Sequence, residues 1–132
     1  MATGVSPAQL QSFLAFDFGL RRIGVASGMR LLGAAEPRCT IKNGDFDAIA
    51  ALIKTWQPDA LVIGVPRHPD GAPHEMTAKA QNFGRRLCGR YHLPVFEVDE
   101  RYTSVEAEAQ GAHDIDAAAA ALILEQFFRE HP

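Results

Sequence analysis

The sequence predicts a single α/β domain: a mixed five-stranded sheet, an antiparallel hairpin part joined to parallel crossovers, with helices on both faces. Three observations lead there. Short apolar runs at 13–16 and 60–65 are bounded by turn residues, as buried strands are. Longer stretches after them repeat apolar residues at intervals of three and four, the helical period. The chain has 132 residues, the size of one ordinary domain.

Each element has its own warrant. Residues 13–16 read as a buried strand. Residues 17–21 form a turn, in which Gly19 can take a positive φ, and 22–27 form the return strand. A third strand over 34–41 contains Pro37, which assigns it to a sheet edge. Asp45 caps a helix over 45–56 whose inner face is Phe46, Ile49, Ala50, Ile53 and Trp56. Residues 60–65 are apolar throughout, as an inner parallel strand is. The Pro- and Gly-rich stretch 66–73 is a loop. A second helix spans 75–91, with Met76, Ala80, Phe83, Leu87 and Cys88 inward. A strand at 94–98, a short helix at 103–110 capped by Thr103, and a last helix at 115–129 complete the chain. The last helix turns Ala119, Leu122, Ile123, Gln126 and Phe127 to the core. Residues 1–11 are expected to be a flexible leader to one domain spanning 12–132.

Composition narrows the class. Apolar residues make up 47% and charged residues 22%, the balance of a globular protein. Cys39 and Cys88 lack the spacing of a zinc or redox pair and read as buried, reduced thiols. Residues 1–11 lack the basic start and apolar core of a signal peptide. No apolar run nears the roughly 20 residues of a membrane span. A cytoplasmic protein without membrane contact is expected. Net charge is −3, which argues against a grip on nucleic acid by bulk charge. Its distribution is uneven: +3 over 1–44, +1 over 45–96 and −7 over 97–132.

Chemistry concentrates in a few acids. Asp17 follows an apolar strand and precedes a glycine turn, where open α/β sheets place their ligands. A turn aspartate bonded to its own backbone would look the same. Asp99 and Glu100 follow the last strand, and alternation lets only one of them face Asp17. Which one stays open. Asp116 opens the last helix, a position acids occupy as caps, unless Asp114 is the cap and leaves Asp116 free. Acids from three separate elements suit a hard divalent cation such as Mg²⁺ or Mn²⁺. His68 and His74 flank the 69–73 loop without a third ligand and read as polar surface. No phosphate-binding P-loop occurs.

The run Asp17-Phe18-Gly19-Leu20-Arg21-Arg22-Ile23-Gly24-Val25-Ala26 resembles the opening signature of YqgF-type proteins. That family is described as Holliday-junction resolvases and as nucleases maturing the 5′ end of pre-16S ribosomal RNA. Gly64-Val65-Pro66 with Asp70-Gly71, then Asp99-Glu100-Arg101-Tyr102-Thr103-Ser104, then Ile115-Asp116-Ala117-Ala118-Ala119, resemble its later motifs in the same order. The departure is the stretch from Thr103 to Asp116, which is shorter and more acidic than is usual in the family.

The resemblance implies a ribonuclease H-like fold and a metal-dependent nuclease. By position, Asp17, Glu100 and Asp116 are its catalytic acids. The same three and Asp99, as an alternate, are its ligands for Mg²⁺ or Mn²⁺. Arg22 and Arg101 match family arginines, and Thr103 matches a family threonine that is otherwise a helix cap. Arg21 and Arg67 are further candidates to orient a nucleic-acid strand. Expected partners are pre-rRNA or branched DNA, with ribosomal particles beyond them, for a monomer or a homodimer. The rival reading is a non-catalytic RNA- or ribosome-binding module on the same fold.

Overall fold

The computed structural model describes residues 9–100 and 114–132. One sheet runs in the order β3-β2-β1-β4-β5. The strands are β1 (Ser12–Phe18), β2 (Arg22–Met29), β3 (Ala34–Lys42), β4 (Ala60–Val65) and β5 (Val95–Asp99). β1, β2 and β3 pair antiparallel, while β4 lies parallel between β1 and β5. The α-helices among the described residues are α1 (Phe46–Trp56), α2 (Thr77–Tyr91) and α3 (Ile115–Glu130), and a 3-10 turn at Arg30–Leu32 follows β2. The expected short helix at 103–110 lies outside the described residues.

Side-chain alternation along β1 builds two cores. Leu14 and Phe16 point to one face and pack with Ile49 of α1 and Phe83 and Leu87 of α2. Phe13 and Ala15 point to the other and pack with Ile123, Leu124, Phe127 and Phe128 of α3. Helices therefore cover both faces, as expected. The α3 face is built from small residues. Ala26 of β2 meets Ala120 and Ala121. A Cβ on Gly28 would stand 3.0 Å from Leu124. These small positions let the helix lie low on the hairpin.

Pro37 does sit on the edge strand. Beside it the register shifts, with Val25 opposite Cys39 and Ala26 opposite Pro37, so Arg38 is the extra residue of a bulge. That bulge changes the reading of Trp56. The indole is exposed rather than core-facing, and the Arg38 guanidinium stacks on it at 4.1 Å. Ala50 is exposed too, since the buried face of α1 centres on Ile49.

Other expectations shift by less. Gly19 is not among the glycines with positive φ. Its lack of a side chain serves close approach instead, since a Cβ there would lie 2.6 Å from the Arg22 carbonyl oxygen. α2 starts at Thr77 and not at 75, because His74 and Thr77 hold the preceding residues in a turn of their own. Cys39 and Cys88 are free but only half-buried, as both belong to outer positions of the first core. Leu10 and Gln11 are held: the Leu10 carbonyl accepts from Arg30, and the Gln11 amide donates to Asp59.

Candidate active site

Asp17 follows Phe13 and Ala15 on the α3 face of β1. Its cross-strand neighbours are both glycines: Gly24 on β2 and Gly64 on β4. This arrangement clears the space the other acids use. A Cβ on Gly24 would lie 1.8 Å from the carbonyl oxygen of Asp116, so the first turn of α3 rests directly on β2 beside Asp17. A Cβ on Gly64 would lie 2.7 Å from a Glu100 carboxylate oxygen. The two glycines thus hold open one slot on each side of Asp17.

β5 delivers Glu100 to that slot. Val98 packs against α3, and the Glu100 amide donates to the Val65 carbonyl at 3.0 Å, extending the ladder beyond β5. Two residues on from Val98, Glu100 returns to the α3 face. Asp99, by the same alternation, faces away from Asp17, while its carbonyl accepts from Gln126 of α3. The geometry therefore brings Glu100, and not Asp99, onto Asp17.

Asp17 and Glu100 are joined side chain to side chain. Burial is the main influence on both, and it disfavours the charged forms. Glu100 is pushed up to about 10, first by burial and then by its contact with Asp17. It therefore holds the proton and donates it to the Asp17 carboxylate. Asp17 is also raised, by burial and by the nearby charge of Asp116, against a lowering from the Glu100 hydrogen bond.

Asp116 is free of capping duty. Asp114 accepts from the Ala117 amide at 3.0 Å and is itself held by the Thr40 hydroxyl at 2.6 Å. Asp116 instead meets Arg22 Nε at 2.9 Å, an ion pair in which the arginine side chain is 71% exposed. Arg21 and Arg22 line an open depression with Gly19, Leu20 and Asp116. Arg67 is not among its lining residues and stands in the loop after β4, bridged to Pro73. Arg101 and Thr103 lie outside the described residues. His68 and His74 stand with ring centroids 5.0 Å apart, and His74 Nδ1 accepts from the Met76 amide.

The donor set fits a hard cation. Three acids converge from β1, the end of β5 and α3. Among the described residues the ion pairs are Arg22–Asp116 and Arg38–Glu36, so no cation is paired with Asp17 or Glu100. The acids do not yet surround one point: Glu100 is turned onto Asp17, and Asp116 is turned onto Arg22. A proton and an arginine offset charge where a divalent ion could do so. Sequence reasoning missed Gly24 and Gly64 as shapers of the site. The available signal was a glycine inside an otherwise apolar strand, which marks close approach of another group.

The sheet order, with helices on both faces and acids at the strand ends, defines a ribonuclease H-like domain. Solved structures agree on the fold. Thermus thermophilus RuvC in complex with a Holliday junction substrate superposes with a TM-score of 0.57 at 13% identity, over 91% of this chain and 94% of that one. A second structure of that protein gives 0.56 at 11% identity, over 91% and 95%. Residues 11–130 match the family model described as RuvX, Holliday junction resolvase. The chain belongs to that family. A relative from Albidiferax ferrireducens is 62% identical over 125 residues, 92% of this chain and 80% of its own length. One from Polaromonas sp. is 59% identical over 128 residues, 95% and 93% of the two chains. One from Pseudomonas aeruginosa is 48% identical, over 96% and 98%. All three bear the name "Putative pre-16S rRNA nuclease".

Proposed function

We propose that this protein is a divalent-metal-dependent nuclease that hydrolyses phosphodiester bonds, acting in 5′-end maturation of pre-16S rRNA. The observation that carries the reading is the meeting of Asp17 and Glu100, with Asp116 beside them, in a slot kept open by two glycines. The names of the relatives support the substrate.

Asp17, Glu100 and Asp116 would hold Mg²⁺ or Mn²⁺ through carboxylate oxygens. When bound, such ions supply Lewis-acid stabilisation of the charge that develops on the phosphoryl oxygens. The residues do the rest. To hold such an ion Glu100 would release to solvent the proton it shares with Asp17, and Asp116 would turn from Arg22 toward the slot. Arg22, released, and Arg21 beside it then face the phosphates of the strand, for which the guanidinium geometry is suited. Arg67, in the loop after β4, and Arg101 and Thr103, matched by the family motif, are further candidates to contact the strand. Asp99 stays outside the ligand set because it faces the other way.

A second reading, resolution of branched DNA, is favoured by the family description and by the likeness to a junction-bound resolvase. Cutting two strands of a junction would call for a homodimer, whereas trimming RNA needs only a monomer. No helix among the described residues is long and apolar enough to cross a membrane. We place the protein in the cytoplasm, at precursor ribosomal particles, as one catalytic domain over 12–132.

Cleavage of a labelled pre-16S rRNA and of a four-way DNA junction by wild type and Glu100→Gln tests this. The expected result is metal-dependent cutting of the RNA by wild type and a severe loss in the variant. Cutting of the junction alone would favour the second reading. Binding without cleavage in any metal would replace the nuclease with the binding module.

A further inference from the structure

A second polar cavity lies on the opposite side of β1 from the acids. Phe18, Asn43, Lys79, Asn82, Phe83 and Arg86 line it, and its volume is about 160 Å³. That is below the roughly 300 Å³ at which pockets for whole small molecules begin. It suits a single polar group. Lys79, Asn82 and Arg86 stand at intervals of three and four, so α2 presents all three on one side. No carboxylate lines the cavity. α2 itself carries Lys79, Arg85, Arg86 and Arg90 and no acid. Among the described residues neither Lys79 nor Arg86 is in an ion pair. Arg86 is steadied on the Phe46 ring at 4.7 Å.

Position gives the cavity meaning. Phe18 directly follows Asp17, and alternation sends the two side chains to opposite faces. Asn43 donates to the Gly19 carbonyl at 2.7 Å, so the cavity abuts the β1–β2 turn. On the far side of that turn is the depression of Arg21, Arg22 and Asp116. One exposed turn thus separates two basic surfaces.

We propose that the Lys79–Arg86 cavity binds a non-scissile phosphodiester of the strand being cut, which crosses the β1–β2 turn from the acids to α2. The ammonium and guanidinium supply the charge, the Asn43 and Asn82 amides supply neutral donors, and Phe18 and Phe83 form an apolar floor for the sugar edge. This rests on the nuclease reading and extends it to how the strand is gripped. It also reconciles a net charge of −3 with a nucleic-acid substrate, since the grip is local.

The test is fluorescence anisotropy of a labelled single-stranded RNA with EDTA present, so that binding is read without cleavage. Lys79→Gln/Arg86→Gln should bind about tenfold more weakly, with a salt slope shallower by about 0.7, the value for one lost phosphate contact. Arg85→Gln/Arg129→Gln, equal in charge change but outside the cavity, should bind nearly as wild type. Lys79→Glu alone, at an exposed position, gives the same direction of change should the double variant unfold. Equal losses in the cavity and control variants would reduce the effect to bulk charge and overturn the proposal, with the nuclease reading intact. Absence of RNA binding by wild type in EDTA and also with Ca²⁺ would overturn the strand path, while the nuclease reading is decided by the cleavage assay. Displacement of the RNA by millimolar inorganic phosphate from wild type, but not from the double variant, is the expected competition at a shared site; phosphate that weakens RNA binding equally in both would overturn the strand path.

Discussion

Gly24 and Asp116 meet backbone to backbone: a Cβ on the glycine would come within 1.8 Å of the Asp116 carbonyl oxygen. The carbonyl belongs to the first turn of α3 and has no flexible end to move aside. Gly24→Ala should therefore lift the start of α3 from β2. Forced overpacking of this kind costs about 1–3 kcal/mol. Both thermal stability and Mn²⁺ binding should fall. Gly64→Ala meets side chains instead, Ile123 and Glu100, and should spare stability more than metal binding. Unfolding midpoints and metal titrations of the two variants check this. Equal stability of Gly24→Ala and wild type would contradict it.

Asp114 does the capping that leaves Asp116 available. Asp114→Ala should cost about 1 kcal/mol, the usual value of an N-cap, and free the Thr40 hydroxyl. Denaturant unfolding reads the cost. Asp116→Asn should be near neutral by the same measurement but should weaken Mn²⁺ binding. The reverse pattern would make Asp116 the cap.

The ion pair of Arg22 and Asp116 is exposed on the arginine side, so Arg22→Ala should change stability by no more than about 0.5 kcal/mol. Its effects on function should have opposite signs. Metal binding should tighten, because Asp116 loses a competitor, while KM for the nucleic acid should rise. Calorimetric metal titration and steady-state kinetics separate the two. A parallel weakening of both would show that Arg22 only holds Asp116 in place.

The acid pair predicts an unusual pH dependence. Asp17 and Glu100 ionise above their ordinary values in the fold, Glu100 at about 10 rather than 4.5. Across that window the native state keeps protons that the unfolded chain has released, so stability falls as pH rises. With EDTA present the unfolding midpoint should drop from mildly acid to alkaline pH. Glu100→Gln should flatten the drop. Mn²⁺ should reverse it, since a cation takes over from the proton and binds better once the acids are ionised. A midpoint that rises with pH in EDTA would refute the shared proton.

Much of this was legible in the sequence, and the limits have physical causes. The apolar runs at Phe13–Phe16 and Ala60–Val65 identify inner strands because a strand buried on both faces has no polar alternation to show. Asp17 was legible as a strand-end acid, and Asp114 as the residue whose capping could free Asp116. The choice between Asp99 and Glu100 was not, since it depends on where β5 stops and which face Val98 takes. Gly24 and Gly64 showed in the sequence only as glycines within strands, since what approaches them, α3 and Glu100, comes from far along the chain. Trp56 misled because periodicity places it on the inner face of α1, whereas its indole is exposed and meets Arg38 of the bulge.

The most direct test of the metal-carboxylate account is cleavage of labelled precursor 16S rRNA by wild type and Asp17→Asn, with Mn²⁺, Mg²⁺ or EDTA. Loss of a group that merely supports a metal ligand costs about 10–100-fold, so loss of the central ligand should cost more than about a hundredfold. The account predicts cutting by wild type only with metal and none detectable by the variant, with both chains equally folded. Cutting by Asp17→Asn at the wild-type rate, or by wild type in EDTA, would contradict it.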